Sequence, residues 1–281
     1  MSQDELPYAG LKVYDATQGV AGPHSTMLLA LYGAEVIKVE PPEGDWCRTL
    51  GKRVEDQSAH SIAFNRGKKS ITIDMRKPEG KALAQKLAYS ADVVVESFRA
   101  GVMGRLGLGY EEVAKHNPAV VYASVTGFGQ KGPRRDAQTV DGLIQAFSGF
   151  MWMNRSPAGV PARNAMIIVD VVTGVYTFQA IQAALMRKFR FGKGGYIDAN
   201  MMQAFGAMQG AKLIEHKMEN GNPQPLYIPA GMFKTTNGYF MLSSMRDHHY
   251  AATVEAIGRP DLITDPRFDS RQKRVDNRAE L

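Results

Sequence analysis

An α/β fold with a mostly parallel sheet is predicted for this 281-residue chain. Three observations predict it. Short apolar runs with strand character alternate with helix-patterned stretches from residue 11 onward. The helical stretches are long enough to carry the chain back across a sheet, which favours right-handed crossovers and parallel pairing. Glycine, asparagine and proline fall between the runs, where turns belong.

Leu11-Lys12-Val13-Tyr14 reads as the first strand. Pro23 to Tyr32 reads as a helix stopped by Gly33, and Glu35-Val36-Ile37-Lys38-Val39 as the second strand. Ser70-Ile71-Thr72-Ile73-Asp74 alternates as a strand does, and Pro78 opens a helix in the position proline favours. Asp92-Val93-Val94-Val95-Glu96 is another strand. A helical stretch to Leu106, a short helix from Tyr110 and the strand Ala119 to Val125 follow. Ligands of such sheets bind in the crevice beyond the strands' carboxyl ends. The turns after Val13, Val39, Glu96 and Val125 are therefore expected near one site.

Residues 171–189 read as a long helix with Val172, Val175, Tyr176, Ile181 and Leu185 on its apolar face, ended by Gly192-Lys193-Gly194-Gly195. Beyond it the pattern changes. Asn220 to Pro225 is turn-rich, Met232–Thr235 and Tyr239–Ser243 flank an Asn237-Gly238 hairpin signal, and a helix runs from Asp247 to Ile257. The expected division is a large domain over 1–222 and the start of a smaller α+β domain over 223–281.

The most informative residue is a carboxylate in an apolar run, Met166-Ile167-Ile168-Val169-Asp170-Val171-Val172. Left unpaired in a core it would cost several kcal/mol, so it must be satisfied or used. Asp170 stands where the N-cap of the long helix is expected. It is either that cap or a carboxylate nucleophile kept ionised by the helix N-terminus. Periodicity alone favours the cap.

Composition excludes several classes. The apolar runs are too short to span a bilayer, and Met1-Ser2-Gln3-Asp4-Glu5 lacks the apolar core of a signal peptide. The single cysteine, Cys47, excludes an internal disulfide. The expected compartment is the cytoplasm. A net charge of +6 suits an anionic ligand. Part of it lies between Arg267 and Arg278, expected to be a solvated surface, and no interleaved aromatic and basic stripe points to nucleic acid.

Gly127-Phe128-Gly129-Gln130-Lys131-Gly132 matches G-x-G-x-x-G but fails as a dinucleotide fingerprint. Pro133-Arg134-Arg135-Asp136 does not open a helix, and no acidic residue follows at the ribose-binding distance. The loop is expected beside a ligand instead. His248 and His249 are adjacent and cannot form an i, i+4 metal pair, so no metal site is expected. Met151, Met153, Met201 and Met202 are expected to fill irregular core or pocket space.

Four segments, in order, resemble the family III CoA-transferases, the group that includes formyl-CoA transferase and the carnitine CoA-transferases. They are Ala21-Gly22-Pro23 with Gly33 to Asp45; Asn65-Arg66-Gly67-Lys68-Lys69-Ser70 leading to Pro78-Glu79-Gly80; Asp92 to Phe98 with Gly101 and Arg105-Leu106-Gly107; and Gly192 to Asp198. The resemblance implies a Rossmann-like large domain, a small domain and an interlocked homodimer. It implies that Asp170 occupies the catalytic aspartate position and moves coenzyme A between carboxylic acids through a mixed anhydride and an aspartyl thioester. Coenzyme A and its thioesters are then substrates, and no tightly bound cofactor is expected. By the same resemblance Ala21, Ile73, Ser97, Phe98, Gly101, Val102 and Arg105 line the coenzyme A site. Val20, Gly127, Gly129, Gln138 and Val140 belong to an acyl pocket or its loop.

The chain departs from the family's best-known members at Pro41, Gln138 and Val140. Val20 replaces a glutamine near the reacting acid, which favours a larger or more apolar acid. An α-methylacyl-CoA racemase shares the fold, but its histidine–aspartate pair is Val140-Asp141 here, and valine moves no proton. Family members continue beyond the position of Leu281, so a truncated coenzyme A-binding fragment stands as a further alternative.

Overall fold

The computed structural model describes residues 5–156 and 158–281. They form two compact units, Met1–Gly210 and Ala211–Leu281. The strands of the first are β1 (Lys12–Ala16), β2 (Glu35–Glu40), β3 (Arg53–Val54), β4 (Gln57–Ser58), β5 (Lys69–Thr72), β6 (Val93–Glu96), β7 (Val121–Thr126) and β8 (Gly195–Asn200). Its helices are α1 (Ala21–Leu31), α2 (Ala59–Phe64), α3 (Pro78–Tyr89), α4 (Val102–Arg105), α5 (Tyr110–His116), α6 (Asp141–Phe147), α7 (Phe150–Met153), α8 (Ile168–Phe191) and α9 (Met201–Met208).

Six strands make one sheet in the order β5-β2-β1-β6-β7-β8. Every pairing in it is parallel, which sharpens the expectation of a mostly parallel sheet. The order is that of a doubly wound dinucleotide-type fold, with its switch point between β1 and β6. Val93, Val94 and Val95 are all buried, as a strand covered on both faces requires. One core layer places Val13, Val36, Val95, Ala123, Phe178, Ile181 and Leu185 together, beneath α1 and α8. The other face holds Tyr14, Val39, Val94, Tyr122, Ala84 and Ala88, beneath α3 and its neighbours.

The strand β8 was not read from the sequence. Gly195-Tyr196-Ile197-Asp198-Ala199-Asn200 carries two polar residues in six, and it takes its register from β7, pairing Tyr122 with Tyr196 and Ser124 with Asp198. As an edge strand it is half-exposed and has little apolar signal to give.

The long helix starts earlier than expected, at Ile168, and ends at Gly192 in the left-handed conformation. By length and composition alone it would cross a bilayer. It instead lies along α1 and the sheet, burying Thr177, Phe178, Ile181 and Leu185, as the core helix of an α/β layer does. The two helices approach closely at Gly174. A Cβ there would stand 2.7 Å from His24 and 2.9 Å from the Ala21 carbonyl oxygen.

The second unit holds α10 (Gly210–Met218), the hairpin β9 (Ala230–Thr235) and β10 (Gly238–Ser243), α11 (Asp247–Ala256) and α12 (Arg271–Asp276). Gly238 pairs with Thr235, so Thr236 and Asn237 form the turn and Gly238 opens the strand. Tyr250, Val254, Leu262 and Phe268 make the unit's core. The run from Arg267 to Arg278 is not wholly solvated, contrary to expectation. Arg274 is 1% exposed, stacks over the Tyr250 ring at 4.3 Å, and bonds the Asp247 carboxylate and the Phe268 carbonyl.

Gly174→Ala is expected to lower stability by about 1–3 kcal/mol through overpacking against α1. An exposed helical glycine would instead gain from the same change. Urea denaturation decides, and an unchanged or higher midpoint would contradict the close crossing.

Candidate active site

The carboxyl ends of β1, β6 and β7 open into a cavity of about 380 Å3. Gln18, Val20, Ala21 and Gly22 line it after β1, Ser97, Phe98 and Arg99 after β6, and Thr126 and Gly127 after β7. Trp46, Thr139, Val140, Asp141, Asp170 and Met201 complete the wall. The cavity thus sits at the switch point of the sheet.

Asp170 lies in the first turn of α8, not at its N-cap; Ile167 is the cap residue and offers no side-chain bond. The cap is supplied from another helix. Asp141, buried at the start of α6, accepts the Val169 N–H at 2.8 Å and the Asp170 N–H at 3.3 Å through Oδ2. Its Oδ1 accepts the Gln145 amide at 2.6 Å. Gln145 in turn accepts the Asn164 N–H at 2.9 Å and donates to the Asn164 carbonyl at 3.3 Å. One Asp-Gln pair at i, i+4 therefore fixes both α6 and the chain entering α8. Burial, then the neighbouring Asp141 charge, pushes the Asp170 carboxyl up to about 7. A carboxylate so desolvated is a stronger nucleophile than one in water.

The wall after β1 is held by buried charges. Asp15 is fully buried and accepts from the Thr17 N–H, the Thr26 hydroxyl at 2.6 Å and Lys68 at 2.9 Å. Lys68 also bonds the Pro23 carbonyl and Asn65; burial brings its ammonium down to about 8. Lys38 pairs with Asp45 at 2.8 Å and bonds the Thr17 carbonyl at 2.7 Å. Asp45 accepts the Gly19 N–H at 2.9 Å. Gly19 has φ +83, and a Cβ on it would lie 2.3 Å from the Trp46 ring, so only glycine lets that ring close over the loop. Removing one partner of so buried a pair leaves an unpaired charge, which is costly.

The glycine loop behaves as expected in part. No helix follows it before Asp141, consistent with its failure as a dinucleotide fingerprint. Two of its N–H groups are already spent, Gly129 on the Thr126 hydroxyl and Gln130 on the Asp198 carboxylate. They are not free to stabilise an oxyanion.

Of the residues singled out in the sequence, Val20, Ala21, Ser97, Phe98, Gly127, Val140 and Asp170 meet in the cavity. Gln138 lines an adjoining groove with Arg99 and Arg135. Gly101 lines a separate hollow, and Gly129 packs against Asp198 and Asn200. Ile73 is buried in the core beneath α3. Val102 and Arg105 lie on α4, with Arg105 exposed. Cys47 is buried and its thiol is pushed up to about 12 by burial and by Asp45, which leaves it inert at neutral pH. Among the described residues no group of three or more His, Cys, Asp or Glu could hold a metal ion. Sequence reasoning missed Asp141 as the cap, Trp46 as a wall and Arg99 as a cation at the cavity. The signal for Asp141 was present, an acid at a helix start with glutamine four residues on, but its partner lies 28 residues away.

The model of CoA-transferase family III matches residues 8–281. The chain belongs to CoA-transferase family III. It is 38% identical to the acetyl-CoA:oxalate CoA-transferase of Acetobacter aceti, over 98% of this chain and 73% of that enzyme. It is 35% identical to the succinyl-CoA:glutarate CoA-transferase of Mus musculus, over 98% of this chain and 65% of that one. A crystal structure of a CAIB/BAIF family protein from Brucella suis matches with a TM-score of 0.86 at 35% identity, covering 98% of this chain and 76% of that chain. This family III chain thus spans between 65% and 76% of the length of these relatives.

Two outcomes test the Asp141–Asp170 arrangement. Asp141→Ala is expected to cost about 1–2 kcal/mol of stability through the lost cap, read by denaturant unfolding. Asp170→Asn is expected to raise the thermal midpoint by about 2–4 °C at about pH 8. The native carboxyl binds its proton more tightly than the unfolded one. The wild-type chain therefore loses stability as pH rises from the ordinary carboxylate range to about 7, and the asparagine chain lacks this contribution while keeping the one from Glu96. A gap between the two that fails to widen with pH would overturn the assignment.

Proposed function

We propose that this chain transfers coenzyme A from an acyl-CoA thioester to a free carboxylic acid, with Asp170 as the nucleophile. The observation that carries the reading is a desolvated carboxylate in the wall of the switch-point cavity, titrating near neutrality. Family membership and the names of the relatives support the reaction class.

In this reading Asp170 attacks the thioester carbonyl, the C–S bond breaks, and a mixed anhydride forms with coenzyme A thiolate. The thiolate attacks the aspartyl carbonyl and the donor acid leaves as a carboxylate. The acceptor carboxylate then attacks the aspartyl thioester, expelling thiolate. That thiolate attacks the acceptor's acyl carbon, which yields the new thioester and frees Asp170. Each step exchanges one activated carboxyl for another, so bonds and protons balance without an external energy source. An anhydride is lost to water, and a part-buried cavity at the carboxyl ends of the central strands slows that loss.

The acids named for the relatives set the panel to be tested: acetate, oxalate, succinate and glutarate. Val20, buried in the cavity wall, supports a preference for the larger acids. A second copy as partner is part of the same proposal. Val175, Met186 and Phe189 are exposed on one side of α8, beside Gln179 and Gln182, a surface that pairing would cover.

The full chain, mixed with each acyl-CoA and analysed by intact mass, is expected to gain a labile adduct on wild type and none on Asp170→Ala. Exchange should rise with pH through about 7 as Asp170 ionises. Retained exchange in Asp170→Ala would sink the proposal.

A further inference from the structure

Glu96 is the last residue of β6 and is 3% exposed, yet the three residues after it line the cavity. Its Oε2 accepts the Phe98 N–H at 2.7 Å. One residue earlier, the Ser97 hydroxyl accepts the Gln18 N–H at 2.9 Å, tying this wall to the loop after β1 across the switch point. On its other side Glu96 lines a second hollow of about 520 Å3, walled by Tyr110, Tyr122, Ser124 and Tyr196. One carboxylate therefore joins this second hollow to the wall of the switch-point cavity.

We propose that Glu96 is a positioning residue, whose ionised carboxylate anchors the Ser97–Arg99 wall and whose protonation loosens it. The consequence for coenzyme A binding rests on the function proposed above.

Titratable and charged groups touch Glu96 or share its hollow from several elements, and Tyr14 stands on the same sheet face in β1, whose Ala16 pairs with Glu96. Ser124 and Tyr122 approach from β7, Tyr196 and Asp198 from β8, Arg99 from its own loop and Lys131 from the glycine loop. Tyr110, Glu111, Glu112 and Lys115 of α5 complete the hollow. Among the described residues Glu96 makes no ion pair, and Lys115 is paired to Glu112 at 2.8 Å. Asp198 is committed to the Gln130 N–H, so it acts on Glu96 only by its charge. Burial first, and that charge second, push the Glu96 carboxyl up to about 7, against hydrogen bonds from Ser124 and Phe98. A bond from an N–H to a carboxylate is about twice as strong as one to a neutral acceptor. Small pH changes near neutrality thus alter the hold on Phe98.

The test follows the Phe98 amide resonance against pH in the ligand-free full chain, in wild type and Glu96→Gln. Calorimetric titration with free coenzyme A at about pH 6 and about pH 8 accompanies it. Glutamine keeps an acceptor for the Phe98 N–H but carries no titrating proton. Wild type is expected to show an inflection near 7 that Glu96→Gln lacks. Its coenzyme A affinity is expected to fall about three- to tenfold on acidification, beyond the change in Glu96→Gln. Titration of the ligand's own phosphates is common to both chains and cancels. Ser124→Ala, which removes a bond favouring the ionised form, should move the inflection upward and serves if Glu96→Gln does not fold. No inflection in wild type, the same inflection in Glu96→Gln, an unmoved one in Ser124→Ala, or equal pH dependence of binding overturns the proposal. An intact Phe98 inflection with no coenzyme A binding at either pH supports the anchor and instead overturns the function it was meant to serve.

Discussion

The site depends on a helix capped by a residue from elsewhere in the chain. The first N–H groups of α8 have no partner within the helix, and Ile167 has no side-chain acceptor to give them. Asp141 supplies the carboxylate, and in doing so places a negative charge beside Asp170. The same contact that completes the helix makes the Asp170 carboxyl harder to ionise. A local serine cap would have completed the helix start without that charge, leaving burial alone to raise the acid.

The opposite wall follows the same economy. The loop after β1 has few apolar contacts of its own and is held by Asp15, Lys38, Asp45 and Lys68, all buried. Every one of these charges has an oppositely charged partner and at least one backbone or hydroxyl bond. Such a lattice adds little net stability over well-packed apolar residues, but its bonds are directional. They set where Gly19 and Trp46 stand. Burial and pairing leave Asp15, Lys38 and Lys68 with shifted titration, so the loop's geometry is itself linked to pH.

Much of the fold was legible because its strands are short, apolar and punctuated. The valine run at 93–95 and the proline at 78 mark their elements without ambiguity. The strand at 195–200 escaped because its pairing partner, rather than its own side chains, decides its conformation. In the site, Asp170 was visible as a charge out of place in an apolar run, but its role as cap was misread, since capping by Asp141 is a contact between distant segments. The walls were found where resemblance gave them, at Ala21, Ser97 and Phe98. Trp46 and Arg99 carry no periodic signal, and only the closing of the loops brings them to the cavity. Arg274 teaches the converse lesson: a basic run read as solvent-facing hides a buried guanidinium, because stacking on Tyr250 needs a tertiary neighbour.

The crossing at Gly174 has a meaning beyond packing. Val20 and Ala21 stand at the start of α1 and Asp170 at the start of α8, and the two helices meet one turn further along, backbone against side chain. The spacing between Asp170 and the opposing wall is therefore gauged at a residue outside the cavity's lining. Any side chain added there would act as a shim. The bore of the cleft is set by an atom the chain does not have.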